Sequence, residues 1–265
     1  MKIYDNIHEA YLGTLADVYD NPEYVCAPRG QKIKECLDYS FKILKPKSET
    51  IITKDLDRNK VIASYTAKEH ELYNSGTNDV KDFGEASKFW LKLANPDGTI
   101  NSAYGHLIKF KKSHGNPIYE LFNDLQSKEA IAVSDFLSQN AHKAMRTPYE
   151  WCLSALRADK DSRQAIIRFS LPEHFYIGNK DFTCTMHASA IIREDKLNFS
   201  VVMRSNDLNK GLIYDLPWFV SVMEDLVVDL KSTYPSLQVG AYTHTVHSMH
   251  VYDNDEKTIL KMLGR

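Results

Sequence analysis

Two stretches in the second half of the chain concentrate side chains able to do chemistry. One is Cys184, within Asp181-Phe-Thr-Cys-Thr-Met-His187. A thiolate is a soft nucleophile, and the four cysteines at 26, 36, 152 and 184 show no CxxC or Cys/His spacing, so neither a zinc site nor a disulfide frame is expected. Read alone, Cys184 is a weak signal, since a lone cysteine is usually an inert small core residue. The other stretch is Met203-Arg-Ser-Asn-Asp-Leu208, where an apolar β run stops at Arg204, Ser205, Asn206 and Asp207. A cation and three hydrogen-bonding groups at a strand end can mount a polar ligand, or form a surface Arg–Asp pair. Asp215-Leu-Pro217 opens an apolar periodic segment and reads as a helix N-cap with proline in the first turn. His250 and Tyr252 stand two apart, so on a strand they share a face.

The elements that must position these residues follow from periodicity. Residues 1–20 read as a helix, 32–44 as β, and Lys45 to Lys60 as an exposed loop or hairpin. Ala67–Tyr73 and Phe83–Leu93 read as helical, the second closed by the Asn95-Pro96-Asp97-Gly98 turn, and 117–157 is helix-rich. Ala165–Ser170, Ala188–Arg193 and Leu197–Met203 are β-rich, the last two joined through Glu194-Asp195-Lys196 like a hairpin. Residues 216–231 form one amphipathic helix, followed by a strand at Leu237–Thr243 and a short terminal helix. No repeat or linker divides the 265 residues, so a single α+β domain over 1–265 is expected. With 43% hydrophobic residues the chain has ample core material, and a net charge of −2 gives no bulk field for nucleic acid or an anionic membrane. Nothing at the start resembles a signal peptide and no apolar run approaches ~20 residues, so a cytoplasmic protein is expected, without membrane or nucleic-acid partners.

Cys184, Arg204-Ser-Asn-Asp207, Gly211 and Asp215 before a helix, then Ser248-Met-His250-Val-Tyr252, resemble in their order the motifs of the thymidylate synthase superfamily. Its deoxycytidylate hydroxymethylase branch is the nearer likeness. Upstream, Pro28-Arg29-Gly30 resembles the phosphate-binding loop, and Phe89-Trp90 with Ile100-Asn-Ser-Ala-Tyr104-Gly105 resembles the folate-side helix and turn. Tyr149-Glu-Trp-Cys-Leu153 to Asp161-Ser-Arg163 resembles the segment donating arginine across a dimer. The resemblance covers about residues 25–255. It implies a large mixed sheet covered by helices, with a sheet face forming a homodimer interface. It also implies a pyrimidine nucleoside monophosphate substrate, 5,10-methylenetetrahydrofolate as cosubstrate, and no metal.

Residue by residue, the resemblance makes Cys184 the nucleophile at pyrimidine C6, with Arg29, Arg204 and the partner's Arg163 on the phosphate. Guanidinium charge would also lower the thiol pKa, and its planar fork suits phosphate. Glu69 fits the family's acid/base glutamate better than Glu71 does; Ser205, Asp207, His250 and Tyr252 fall at substrate positions, and Trp90, Tyr104, Asp207 and Glu69 at folate positions. Asp215 stands where thymidylate synthases carry Asn, and a carboxyl group can accept from the cytosine 4-amino group and share a proton with N3. Cytosine is therefore the expected base; uracil, a ribonucleotide, and a non-catalytic nucleotide- or RNA-binding relative are the alternatives. Three departures stand out: Gln164 replaces a second arginine, with Lys160 a possible substitute; Thr185 replaces the histidine after the cysteine; and the chain ends Lys261-Met-Leu-Gly-Arg265 without an apolar tail.

Overall fold

A computed structural model describes residues 1–115 and 145–265. Its elements run β1 (Lys2–Tyr4), α1 (Ile7–Asp20), β2 (Tyr24–Cys26), β3 (Ile33–Ile43), α2 (Leu56–Ser75) and α3 (Val80–Ala86). Then come α4 (Pro148–Ala158), β4 (Ile166–Arg168), β5 (Thr185–Arg193), β6 (Lys196–Met203), β7 (Asn206–Asp207), α5 (Ile213–Leu230), β8 (Gln238–Tyr252) and α6 (Glu256–Met262). Most helices start where a polar side chain takes up their free backbone N–H groups. Asn6 accepts from Glu9 N–H (3.0 Å), Asp55 from the N–H groups of Asp57 and Arg58, and Thr147 forms a reciprocal capping box with Glu150 ahead of Pro148.

The caps explain where the sequence expectations miss. Asn6, not residue 1, starts the first helix, which frees Lys2–Tyr4 to pair in parallel with Phe41–Ile43. Asp55 starts α2 well before Ala67, so the end of the expected Lys45–Lys60 loop, from Leu56 on, is helix. The expected 83–93 helix breaks after Ala86, and Trp90–Lys92 forms a separate 3-10 turn. Asp215 caps nothing: α5 has already begun at Ile213, and the preceding π turn, Leu208–Leu212, is capped by Asp207 accepting from Asn209 N–H (2.9 Å). The last strand continues to Tyr252 rather than ending at Thr243. Of the expected 117–157 helical region, α4 is present and 116–144 lies outside the described residues.

Among the described residues one mixed sheet has the order β1-β3-β8-β6-β5-β4, with β2 paired to β3 and β7 to β8. The β5–β6 hairpin turns through Glu194 and Asp195, both at positive φ, the twist that suits a two-residue connection. Strands β6 and β8 run parallel, and β3 and β5 run antiparallel to them. The starts of β3 and β5 therefore meet the ends of β6 and β8 at one end of the sheet. Helices α1 and α5 cover one face through Ile7, Tyr11, Leu15, Phe219 and Met223, all fully buried. The other face is half-exposed and mostly uncharged: Ser189 lies opposite Ser200, and Ser200 opposite Thr243. No described helix is long and apolar enough to cross a membrane.

Candidate active site

The end of the sheet just defined gathers the chemically capable side chains. Cys184 immediately precedes β5, and Arg204 immediately follows β6. Their strands pair, Thr185 with Met203, so the backbone N–H of Arg204 donates to the Cys184 carbonyl (2.9 Å). The Arg204 side chain folds back over the same loop. Its Nε donates to Thr183 O (3.1 Å), its Nη2 to Phe182 O, and the same Nη2 stands 3.4 Å from Cys184 Sγ. On the neighbouring strands, Asp207 in β7 lies opposite His250 in β8, and Ile33 at the start of β3 lies opposite Tyr252. The His250 and Tyr252 rings meet edge to face at 5.2 Å, as the shared strand face requires. His250 Nδ1 contacts Ser248 O (3.2 Å), a carbonyl that can only accept, so this contact needs the proton on Nδ1. Arg29 sits in the Pro28–Gly30 turn leading into β3, at a left-handed φ of 52°, exposed and unpaired among the described residues. Ser205 is half-buried between Arg204 and β7.

Helices bring carboxyls down onto this sheet end. Glu69, from the middle of α2, is 5% exposed, accepts at Oε1 from the Tyr65 hydroxyl (3.1 Å) and has no partner at Oε2. Burial, with the charge of Asp215, raises its pKa to about 8. Asp215, in the first turn of α5, is raised to about 7, mainly by burial and further by Asp207, while the Asn206 amide pulls it down. Asp207 is also raised by burial, against the opposing charge of His250. Three carboxyls thus crowd one region of low dielectric, where like charges resist ionising together. The thiol departs from expectation for the same reason. Burial raises the Cys184 pKa, Asp215 and Asp181 add to the rise, and the pull of Arg204 and Arg29 does not overcome them. Both arginines pull the thiol pKa down as expected, and burial, which no motif reveals, outweighs them.

Four of the eight buried side-chain atoms left without partners among the described residues belong to this neighbourhood. Glu69 Oε2, Thr185 Oγ1, Asn206 Oδ1 and Arg58 Nε are all buried and unpaired. Each unsatisfied buried group costs about 1–3 kcal/mol, so a cluster of them suits a polar ligand that completes their bonds. Gly211 gives Asn206 its room, since a Cβ there would lie 2.3 Å from Asn206 Oδ1 and 3.4 Å from Asp215 Oδ2. Gly105 brings the Tyr104 turn against α2: a Cβ would come within 1.9 Å of Tyr73 O.

Two of the residues expected to face folate are placed differently from each other. Trp90 packs 8% exposed, its Nε1 donating to the Tyr65 hydroxyl (2.8 Å). Tyr104 is 5% exposed within a ring cluster of Tyr73, Phe169, Trp218 and Phe219. Arg163 does not join the site of its own chain. It precedes β4, and its neighbour Asp161 pairs with Arg193 (3.5 Å) at the far end of β5 from Cys184. Lys160 pairs with Asp195 at that same far end, so it too lies away from the site of its own chain. Sequence reasoning overlooked Tyr65 and Arg58, and named Asn206 as a hydrogen-bonding group without giving it a role. Tyr65 lies four residues before Glu69, one helical turn away, and that spacing was the available signal. Among the described residues no group of three or more His, Cys, Asp or Glu is placed to hold a metal ion.

Comparison with known proteins agrees with this geometry. The chain is 31% identical over 195 residues to the deoxycytidylate 5-hydroxymethyltransferase of Enterobacteria phage T6, covering 71% of this chain and 66% of the relative. The phage T4 protein of the same name matches with the same identity and coverage. A deoxyuridylate hydroxymethyltransferase of Bacillus phage SP01 is 27% identical over 251 residues, which is 93% of this chain and 57% of the relative. The chain thus spans just under two thirds of the length of the T6 and T4 relatives. Among solved structures, thermostable thymidylate synthase A from Bacillus subtilis superposes with a TM-score of 0.64 at 17% identity, over 98% of this chain and 84% of that one, so the two share a fold. With residues 9–265 matching its profile, the chain belongs to the thymidylate synthase family.

Proposed function

We propose that this protein is a (deoxy)cytidylate 5-hydroxymethyltransferase that works through a covalent Cys184 adduct at pyrimidine C6, with dCMP the favoured substrate. The observation that carries this reading is Asp215, a buried carboxyl poised near pH 7 whose charge is felt at Cys184. A cytosine offers such a group a 4-amino donor and an N3 acceptor. As the Cys184 sulfur bonds to C6, the pair displaced from the C5–C6 bond moves toward N3, and protonated Asp215 can supply the proton that N3 then needs. A pKa close to the working pH is what a proton donor of this kind requires. Arg204 and Arg29 would hold the phosphate, and Arg204 would stabilise the thiolate once the substrate excludes water. His250, Tyr252 and Ser205 would hold the sugar.

5,10-Methylenetetrahydrofolate would supply the one-carbon unit, and the orphaned Glu69 Oε2 together with the Trp90 and Asp207 side chains are the residues fitted to meet it. Glu69, pushed to about 8, would carry a proton at neutral pH and exchange it at Oε2. Homodimerisation belongs to the same reading. The half-exposed sheet face, polar at Ser189, Ser200 and Thr243 with Lys42 beside them, would meet a second copy, and Arg163, remote from its own site, would serve the partner's.

Protein given C5-tritiated dCMP and methylenetetrahydrofolate should release tritium, and Cys184→Ser should lose that release by at least ~10³-fold, as for other activated nucleophiles. Absence of release from both dCMP and CMP would overturn the cytidylate reading. Action on dUMP is the second reading, motivated by the phage SP01 relative. Product mass analysis from an equimolar mix of dCMP, CMP and dUMP decides between the substrates.

A further inference from the structure

We propose that Tyr65 is a positioning residue that couples the Trp90 indole to Glu69 and directs the Glu69 proton to Oε2. Trp90 Nε1 donates to the Tyr65 hydroxyl (2.8 Å), and that hydroxyl donates to Glu69 Oε1 (3.1 Å). The chemistry of the three groups fixes the order. An indole N–H can only donate, so the tyrosine oxygen must accept, and its single proton is left for the carboxyl group. Oε1 is therefore permanently an acceptor. Any proton that Glu69 carries sits on Oε2, which makes no direct hydrogen bond to protein, although the Tyr73 hydroxyl also pulls the Glu69 pKa down.

Geometry beyond the two bonds supports the assignment. Tyr65 is one helical turn before Glu69 on α2, and its ring packs on Tyr214 (4.6 Å between centroids), the residue next to Asp215. The phenol is thus clamped between the helix that carries one carboxyl and the helix that carries the other. Packing alone would be served by phenylalanine, whereas the hydroxyl is matched on both sides. The indole also favours the ionised phenol and so strengthens its donation, in line with the direction of its effect on Tyr65. This inference rests on reading Glu69 as the proton-handling carboxyl of the site.

The test follows the Glu69 carboxyl by carbon-13 NMR in the full-length protein, with the signal assigned by its loss in Glu69→Gln. Tyr65→Phe keeps the ring and removes the donor to the carboxylate. The titration midpoint should rise by roughly one pH unit, the size expected for losing a hydrogen bond to a charged group. Trp90→Phe leaves the hydroxyl but removes its polarising donor, so its midpoint should rise less. With substrate, the pH limb of kcat should move with the NMR midpoint while the nucleotide KM stays put. An unchanged midpoint in Tyr65→Phe, or a larger shift in Trp90→Phe than in Tyr65→Phe, would overturn the coupling. The titration needs no turnover, so a shifted midpoint in a protein that turns over no nucleotide would overturn the function and leave the coupling standing. Turnover with an unshifted midpoint would do the reverse.

Discussion

At the scale of single residues, Cys184, Glu69 and Asp215 share one physical circumstance: each is a group whose charged form is disfavoured by burial. The thiol waits protonated, and ligand binding must shift the balance that Arg204 alone does not tip. Asp215→Asn should move base preference from cytosine toward uracil by about 10–100-fold in kcat/KM, because the amide N–H meets uracil O4 where the carboxyl met an amino group. Competition between dCMP and dUMP measures it. The two raised carboxyls also set a pH dependence of stability. Folded Glu69 and Asp215 bind protons more tightly than the unfolded chain does, so above their unfolded values, near 4 to 4.5, they subtract stability progressively until pH passes about 8. Thermal unfolding should therefore show a decline between about pH 4.5 and 8, amounting to a few kcal/mol at most. Glu69→Gln should shrink it and leave the share of Asp215, which is raised independently of Glu69.

Elements matter here through their ends and their close approaches. Strand order puts the start of β5 and the ends of β6 and β8 together, and two glycines let helices and turns press onto that edge. They should respond differently to substitution. Gly105→Ala sets a Cβ against the rigid Tyr73 carbonyl of α2, and roughly 1–3 kcal/mol of stability should go, seen as a lowered Tm. Gly211→Ala meets the movable end of the Asn206 side chain, so stability should hold better while kcat falls as the amide is driven against Asp215. Circular-dichroism melting paired with steady-state kinetics separates the two.

For the whole molecule, the proposed role of Arg163 in a partner's site would leave a single chain with an incomplete site. Light scattering with nucleotide present should give a mass near twice the 30.4 kDa of one chain. Mixing Arg163→Ala with Cys184→Ser protein should restore activity that neither has alone, because one mixed site keeps both residues. Much of this was legible in the amino-acid order. Local patterns located β3, the β5–β6 hairpin and α5, and the ordered motifs from Arg29 to Tyr252 pointed to the family before any contact was known. Local signals fell short where caps override periodicity, as at Asn6, Asp55 and Asp207, since one side-chain hydrogen bond moves a helix start by several residues. By itself the sequence determined which side chains are available: the Cys184 thiol ahead of a strand, the arginines, and the Asp215 carboxyl at the start of an apolar helix. Only the tertiary structure decided their state. Burial outweighs the arginines at Cys184 and lifts Glu69 and Asp215 toward neutrality, and strand direction puts Arg163 at the far end of the sheet. Desolvation and distance are properties of the packed chain, and no local pattern of residues encodes either one.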